Sequence, residues 1–324
     1  MSWAGAAVVL AQIALFSCRA SLPEAIQEDV AVDAETVALV DGDPIKFGVL
    51  AIDSAVSVSE RYGPLMQYLS EALERPVELV TLSQESQFFQ VEQGDLDFTT
   101  NNPLAAVQIQ RLYGTEFLVT HARPDTGAEF SGLIIVDRDS DVTTLADLKG
   151  KRAACVAFQT AAAGCTFQIY HLLQNGIDPY VEFSSFVENR SQDNIVLAVL
   201  NGSIDVGFIR TGQLEKMLDK GLISSLDEVR IIDQQVDDFV YPHTTALYPE
   251  WPVAALPGTD PQLADQLQQA LLEMPDDHGA LKALRASEFV PAVDYSLLNE
   301  LIEELQLRSW DAPIPTSSTE GISP

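Results

Sequence analysis

A turn of small residues separates two hydrophobic runs within residues 155–173, CVAFQTAAAGCTFQIYHLL. The first run predicts a strand and the second an amphipathic helix, and a turn from strand to helix often carries a catalytic or binding group. A nucleophile elbow would need the pattern G-x-S-x-G, and a phosphate loop would need G-K-[ST]; neither occurs at this turn. Cys165 could act as a nucleophile only beside a base, and the chain has four histidines. We therefore expect a binding site and not an enzyme.

The backbone of this turn and one arginine are the candidates for binding an anion. Free N–H groups at the start of a helix attract negative charge, and residues 160–163 would provide them. Arg210 ends the apolar run IDVGFI and precedes Thr211 and Gly212, where a helix begins. Because ligands of open α/β sheets lie beyond the carboxyl ends of strands, Arg210 is the strongest candidate for a bidentate contact with an anion. The alternative is a surface arginine paired with a carboxylate such as Glu215.

Cys155 and Cys165 flank the same turn. In an oxidising compartment they could form a disulfide, and otherwise they would be buried free thiols. The sequence leaves both alternatives open. Together with His171 these cysteines do not have the spacing of metal ligands, so we expect no metal and no cofactor.

The composition indicates an acidic globular protein. Lys and Arg total 18 against 48 Asp and Glu, which gives 324 residues a formal net charge of −30. Such a charge repels nucleic acid and anionic membrane surfaces, and we expect no nucleic-acid partner. A chain of this length more often forms two lobes or domains than one.

An apolar run at the N-terminus resembles an export signal. Residues 4–16 are too short to span a bilayer and suit the core of a signal peptide. We predict a signal peptide over residues 1–20, ending after Ala20 or, as a lipoprotein signal, before Cys18. No later run reaches about 18 apolar residues. The expected mature chain is therefore periplasmic or otherwise extracytoplasmic, without a transmembrane segment, and lipid-anchored if Cys18 is modified.

Strand and helix patterns alternate along the chain from Ile45 onward. IKFGVL, VELVT, GLIIV and IDVGFI read as buried strands between helical patterns, which predicts the α/β class with mostly parallel sheets flanked by helices. Two crossings between two β/α series predict two lobes. The predicted segments are an acidic leader arm over residues 21–43, lobe 1 from residues 44–128 and 240–306, lobe 2 from residues 129–239, and a disordered tail over residues 307–324.

Several motifs together resemble one family. VEQGDLDFTTNNP, LADLKGKRAACVAF, NIVLAVLNGSIDVGFIRTG and HTTALYPEWPVAALP are similar to the phosphonate-binding-like group of type II periplasmic solute-binding proteins. Within it the likeness is greatest to the periplasmic sensor domains of tetrathionate-sensor-type histidine kinases. The resemblance covers residues 45–305 and implies a Venus-flytrap receptor whose two lobes close on a small, usually anionic ligand.

The resemblance also implies positions that contact the ligand. Asn102 matches the Thr-Asn-Pro turn of the sensor-type relatives, where its amide could donate to an oxyanion or cap a helix. Phosphonate-binding relatives have Ser-Thr-Ser where this chain has three alanines after Thr160, so phosphonate itself is doubtful. Asp53 and Ser54 fall where relatives contact ligand, and an aromatic stretch follows the second crossing. The expected ligand-binding residues are Arg210, Thr211, Asn102, Thr160, Ala161, Ala162, Ala163, His243, Thr244, Asp53, Ser54 and Tyr248.

We expect an exported solute-binding receptor for a small oxyanion, with a sulfur oxyanion and a phosphonate-like ligand as the candidates. Its partner would be a membrane permease of an ABC transporter or a sensor histidine kinase. Two alternatives remain: an accessory signalling protein that binds a neutral ligand or a protein, and an enzyme that depends on Cys165.

Overall fold

The computed structural model describes residues 43–51, 55–83 and 86–307. These residues belong to one compact unit of the chain, Val40–Pro324. The predicted signal peptide, the leader arm up to residue 42, Cys18, Asp53 and Ser54 lie outside the described residues. So do residues 308–324 of the predicted disordered tail, whereas Leu307, its first residue, is buried.

Strands and helices alternate through most of the described chain. The strands are β1 Ile45–Leu50, β2 Val77–Leu82, β3 Phe98–Thr100, β4 Glu116–Ala122, β5 Glu129–Phe130, β6 Gly132–Asp137, β7 Arg152–Cys155, β8 Ser185–Glu188, β9 Val206–Arg210, β10 Val229–Ile231, β11 Tyr248–Pro249, β12 Pro252–Ala255 and β13 Glu288–Pro291. The α-helices are α1 Ala55–Ala72, α2 Ser86–Glu92, α3 Pro103–Tyr113, α4 Phe167–Gln174, α5 Pro179–Glu182, α6 Gln192–Leu200, α7 Gln213–Asp219, α8 Pro261–Leu272, α9 Gly279–Leu284 and α10 Ser296–Leu305. A π-helical turn at Ala162–Thr166 leads into α4.

Lobe 1 is built on a six-stranded sheet with the order β13-β4-β12-β3-β1-β2. β1 is almost entirely buried, as expected for a strand whose sheet is covered on both faces. Leu65 and Leu69 of α1 pack against Phe47 of this strand in the main core of the lobe. Their spacing of four residues places both on one face of the helix.

Lobe 2 is built on a five-stranded sheet with the order β10-β6-β9-β7-β8. The predicted α/β class is confirmed, but both sheets are mixed and not mostly parallel: β1 is parallel to β2 and β3, while β12 is antiparallel to β3 and β4. In lobe 2, β7 is parallel to β8 and β9, while β6 is antiparallel to β9. The reason is that β6 and β12 each follow a crossing. The chain therefore enters each sheet at the end where the neighbouring parallel strand finishes, and it runs back in the opposite direction.

Hydrogen bonds tie the two crossing segments together. β5 pairs with β11 in an antiparallel ladder. The Ser131 hydroxyl donates to the Thr245 carbonyl over 2.8 Å, and the amides of Thr244 and Thr245 both donate to the Gly132 carbonyl. These bonds fix the two crossings side by side and define the hinge between the lobes.

A disulfide joins Cys155 at the end of β7 to Cys165 in the π-helical turn, with 5.0 Å between their Cα atoms. Both cysteines are fully buried. The Val156 amide donates to the Gly164 carbonyl across the same turn. A Cβ atom on Gly164 would lie 2.8 Å from the Val156 side chain, so the close approach here requires glycine. The turn is therefore held covalently and by packing.

We predict that replacing both cysteines by alanine lowers the free energy of unfolding by about 2 to 3 kcal/mol, because the disulfide closes a loop and restricts the unfolded chain. Urea unfolding of the wild type and of the double variant Cys155→Ala, Cys165→Ala measures the difference. A reducing agent should lower the midpoint of the wild type and leave that of the variant unchanged. Equal unfolding midpoints for the variant and for the wild type without reducing agent would contradict the prediction.

Candidate functional site

Arg210 ends β9 at the edge of lobe 2 that faces the hinge. The four preceding residues of the strand are buried, and Arg210 is exposed. Its amide donates to Gln192 Oε1 over 2.8 Å, and its Nε donates to the Thr211 carbonyl over 3.2 Å. Within the described residues, neither terminal amino group of Arg210 has a hydrogen bond or an ion pair. Both amino groups are therefore available to a ligand.

Charged residues around Arg210 affect its guanidinium group. Desolvation lowers the pKa of its guanidinium group although the side chain keeps contact with solvent. The positive charges of Arg123 and Arg61 lower this pKa further, and the negative charge of Glu250 raises it. Because Arg61 and Arg123 belong to the lobe 1 side of the hinge, positive charge from both lobes converges here.

Arg123 follows β4 and is committed to structural contacts. Its Nε and Nη2 donate to the two carboxylate oxygens of Glu250 over 3.1 and 3.3 Å, and its Nη1 donates to the carbonyls of Leu284 and Arg285. Glu250 is almost fully buried. Burial alone would lower the pKa of Arg123, but the charge and hydrogen bonds of Glu250 outweigh burial and raise it. This ion pair leaves Arg123 little capacity for a ligand.

Arg61 lies in α1 and has no such partner. Its Nε is buried without a hydrogen-bond acceptor, and no hydrogen bond or ion pair joins its guanidinium group to another described residue. Its charge lowers the pKa of Arg210 and contributes to lowering that of His121. Burial is the main cause of the His121 shift, which takes the pKa well below its usual value, so this histidine is neutral at neutral pH.

Further cations surround this cluster. Desolvation lowers the pKa of Lys216 in α7, and the charges of Lys220, Arg210 and Arg285 lower it further. Asp193 opposes these charges and lies 3.9 Å from the Lys220 amino group. The described cations of the site are Arg61, Arg123, Arg210, Lys216, Lys220 and Arg285. These are six of the 18 Lys and Arg residues of the chain, and the carboxylates of Glu250, Asp193, Asp125 and Glu215 lie among them.

Three of the predicted binding residues are part of the hinge. Thr211 accepts a hydrogen bond from the Ser131 amide, and Thr244 donates to the Ile232 carbonyl. His243 is buried, with Nδ1 2.7 Å from the Thr245 carbonyl and Nε2 3.0 Å from an Asp237 carboxylate oxygen. Their side-chain groups already have protein partners, so a role in ligand contact stays a prediction.

The remaining predicted residues lie around the buried contact between the lobes. Asn102 caps α3 by accepting a hydrogen bond from the Ala105 amide. Tyr248 stacks on Phe167 with 3.8 Å between ring centroids. An apolar cluster contains Tyr248, Ala162, Ala163 and residues of α3 and α10, while Ala161 and Thr160 are partly exposed.

The turn of alanines is nevertheless close to Arg210. Gln168 is buried, and its side-chain nitrogen donates to the carbonyls of Ala163 and Ile209 over 2.7 and 2.9 Å. Ile209 immediately precedes Arg210, so one amide group connects the turn to the end of β9. The predicted binding turn and Arg210 are therefore neighbours in lobe 2, and a role of either in ligand contact stays a prediction.

Arg61, Arg123 and Glu250 were missed by sequence reasoning. One signal was present for Arg61, because its spacing from Val58 and Leu65 places it beside the buried stripe of α1. At such a position the aliphatic part of an arginine covers apolar surface while its charge reaches the edge of the core. No local pattern links Arg123 to Glu250, which are 127 residues apart.

The comparisons with known proteins agree with this architecture. A family model described as the periplasmic substrate-binding protein of a phosphonate ABC transporter matches residues 47–297. The chain belongs to this family. The family consists of binding proteins and not enzymes, which confirms the prediction of no catalytic activity and implies an extracytoplasmic location.

Individual relatives are distant. The chain is 26% identical over 238 residues to the tetrathionate sensor histidine kinase TtrS of Salmonella typhimurium, a match that covers 70% of this chain and 39% of that relative. XAC2383 from Xanthomonas citri bound to ATP superposes with a TM-score of 0.66 at 20% identity, covering 84% of this chain and all of that one. PhnD1 from Prochlorococcus marinus in complex with methylphosphonate gives 0.63 at 16% identity, covering 82% of this chain and 98% of that one. The two structures establish the fold alone.

The described residues contain neither a metal-binding cluster nor a membrane-spanning helix. No group of three or more His, Cys, Asp or Glu residues there is arranged to hold a metal ion. No described helix is both long enough and apolar enough to cross a membrane.

We predict that Glu250→Gln lowers the free energy of unfolding by about 2 to 4 kcal/mol, because it leaves the largely buried Arg123 without its counter-charge. Glu303→Gln is the matched control: Glu303 pairs with Arg111 at the surface, where an ion pair contributes less than about 1 kcal/mol. Chemical denaturation of the two variants and the wild type measures both effects. Equal losses of unfolding free energy in the two variants would contradict the prediction, because the buried Arg123–Glu250 pair would then contribute no more than the surface pair.

Proposed function

We propose that this protein is an exported receptor that captures a small oxyanion when its two lobes close. The observation that carries the proposal is the position of Arg210 at the carboxyl end of β9, with both terminal amino groups free of described partners. A guanidinium group with two parallel N–H donors matches the oxygens of a carboxylate, sulfonate or phosphonate. The other cations around it raise the local concentration of anions.

A sulfur oxyanion suits the site better than a phosphonate. The relatives that bind phosphonates have hydroxyl groups at the turn where this chain has alanines, and Ala162 and Ala163 are buried among apolar side chains. The ligand therefore depends on guanidinium groups more than on hydroxyl groups. Tetrathionate and methylphosphonate, which the names of two relatives contain, are both oxyanions.

The partner we propose is a membrane protein that recognises the closed lobes, either a sensor histidine kinase or the permease of an ABC transporter. The family and the sensor relative support this class of partner. Export through a signal over residues 1–20, which ends after Ala20 or, as the alternative, before a lipid-modified Cys18, remains part of the same proposal. So do the lobe boundaries at residues 128 and 239.

We predict that Arg210→Gln weakens binding of the preferred anion by about 10- to 100-fold, because it removes a charge-assisted bidentate contact. The wild type is first tested by thermal shift against sulfate, thiosulfate, tetrathionate, phosphate and methylphosphonate at constant ionic strength. Isothermal titration calorimetry of the anion with the largest shift then gives the affinities of the wild type and the variant.

Arg75→Gln is the matched control, because Arg75 lies near the start of β2 and donates to the Asp43 carbonyl, at the opposite end of the sheet from the hinge. It should bind the anion like the wild type. If no anion in the panel shifts the melting temperature, the oxyanion proposal fails, and a neutral ligand or a protein partner becomes the better account.

A further inference from the structure

We infer that residues 233–242 form a pH-sensitive strap over the hinge, held in place by protonated His243 and by His171. The strap connects β10 to the second crossing, and its backbone forms neither helix nor strand. Its side chains are exposed apart from Phe239 and Tyr241, which are half-buried, so it can move without breaking a core. The strap would act in this way whether or not the protein binds an anion.

The hydrogen bonds of His243 require both of its ring nitrogens to be protonated. Its Nδ1 lies 2.7 Å from the Thr245 carbonyl oxygen, and its Nε2 lies 3.1 and 3.0 Å from the two carboxylate oxygens of Asp237. Asp237 is ionised, because hydrogen bonds from the Phe239 amide and from His243 lower the pKa of its carboxyl group. A carbonyl and an ionised carboxylate only accept hydrogen bonds, whereas a neutral imidazole donates from one nitrogen alone. His243 is therefore an imidazolium cation in this arrangement.

The Ser131 hydroxyl does not remove this requirement. It lies 3.3 Å from Nδ1 of His243 and also donates to the Thr245 carbonyl over 2.8 Å. Without a proton on Nδ1, the nitrogen lone pair would face the closer carbonyl oxygen, and the two would repel each other. The bond to the carbonyl therefore fixes a proton on Nδ1, and the bond to Asp237 fixes the second proton on Nε2.

Loss of one proton from His243 would release the strap. The histidine side chain is 2% exposed and that of Asp237 is 44% exposed. A neutral imidazole keeps one of its two bonds, and the acceptor that it gives up must find another donor. The Thr245 carbonyl is held inside the hinge, whereas the Asp237 carboxylate can turn into water. The bond to Asp237 is therefore the one that opens, and the strap is attached through it.

A second histidine holds the beginning of the strap. Nε2 of His171, in α4, lies 2.7 Å from a carboxylate oxygen of Asp233. A neutral His171 can still donate from Nε2, and protonation strengthens the bond because it then joins opposite charges. The Gln235 amide donates to the His243 carbonyl, which keeps the two anchored aspartates on one short loop. Two of the four histidines of the chain thus hold one segment.

Tyr241 connects the strap to the candidate binding site. Its hydroxyl donates to Asp125 on the first crossing over 2.8 Å. A Cβ atom on Gly212 would lie 3.5 Å from its ring, which places the ring beside the start of α7, close behind Arg210. Release of the strap would therefore change the surroundings of Arg210.

Other charged groups lie around the strap. Burial raises the pKa of Tyr241 to about 12 together with the hydrogen bond to Asp125 and the charges of Asp125 and Glu215, while the charge of Arg210 lowers it. The phenol is therefore neutral at neutral pH. Among the described residues, Asp237 on the strap is the acid that forms an ion pair with His243.

The direction of the pH effect follows from these bonds. Both anchors are strongest when the histidines are protonated, so their stabilisation is present in mild acid. It is lost as the pH rises through the titration of histidine, which ordinarily occurs between about pH 5 and 8. Asp237 stays ionised to lower pH than an ordinary aspartate because its pKa is lowered. The strap is therefore closed in mild acid and opens as the pH rises.

Nuclear magnetic resonance of the protein with 15N-labelled histidine tests the protonation directly. The two ring signals of His243, assigned by their loss in His243→Gln, should both be those of protonated nitrogens at about pH 5.5. Hydrogen exchange of residues 233–242, corrected for the intrinsic effect of pH on amide exchange, tests the opening. Protection should fall by about tenfold or more between about pH 5.5 and 8.5, since at least one charge-assisted bond is lost, while that of β6 stays constant.

Variants identify the groups responsible. Asp237→Asn should remove most of the pH dependence, because an amide can donate to a neutral Nε2 of His243 and accept from a protonated one. The exposed position of Asp237 lets this variant fold even if His243→Gln does not. His171→Gln should reduce the pH dependence in part. His278→Gln is the matched control, because His278 caps α9 in lobe 1, and it should behave like the wild type.

Three results would overturn the switch. One is a single protonated ring nitrogen on His243 at about pH 5.5, and another is equal protection of the strap at both pH values in the wild type. The third is an unchanged pH dependence in Asp237→Asn. Melting curves establish that each variant is folded at both pH values. All of these measurements are made without ligand, so failure to bind any anion would overturn the proposed function and leave the strap intact.

Discussion

The ion pair between Arg123 and Glu250 organises the centre of this protein. Arg123 lies on the first crossing and Glu250 on the second, so the pair joins the two segments that connect the lobes. Arg123 also donates to the carbonyls of Leu284 and Arg285 at the end of α9. Tyr295, which immediately precedes α10, donates from its hydroxyl to the Glu250 carbonyl. A buried pair of this kind contributes specific geometry more reliably than net stability. Its further effect is to compensate the charge of Arg123, whereas the terminal amino groups of Arg210 have no described partner.

Periodicity in the sequence was sufficient to predict the fold class. The buried strands IKFGVL and GLIIV, and the helical spacing of Leu65 and Leu69, follow from local chemistry and appear in the structure. The direction of strands next to the crossings could not be predicted, because β6 and β12 have the same local pattern as parallel strands. Their direction depends on where the chain re-enters each sheet, which is a property of the whole topology.

The sequence points to the candidate site only where that site coincides with the end of a strand. Arg210 could be found because a charged residue ends an apolar strand just before a helix. Arg123 and Glu250 could not be paired from the sequence, since their contact depends on two crossings that are far apart in the chain. Thr211, Thr244 and His243 have polar side chains near the predicted hinge, and the structure shows that these side chains bond within the hinge. A polar residue close to a cleft can therefore contact a ligand or form hydrogen bonds within the hinge, and only its three-dimensional contacts distinguish the two roles.

The apolar cluster between the lobes makes the strength of their contact depend on temperature. Phe167 and Ala163 from lobe 2 pack in one cluster with Leu104 of lobe 1 and with α10, whose residues contact both α3 and α4. Separating the lobes must expose part of this surface to water. Because apolar hydration has a large heat capacity, the hydrophobic contribution to the closed state weakens on cooling. Any separation of the two lobes would therefore become easier on cooling as far as this hydrophobic contact opposes it.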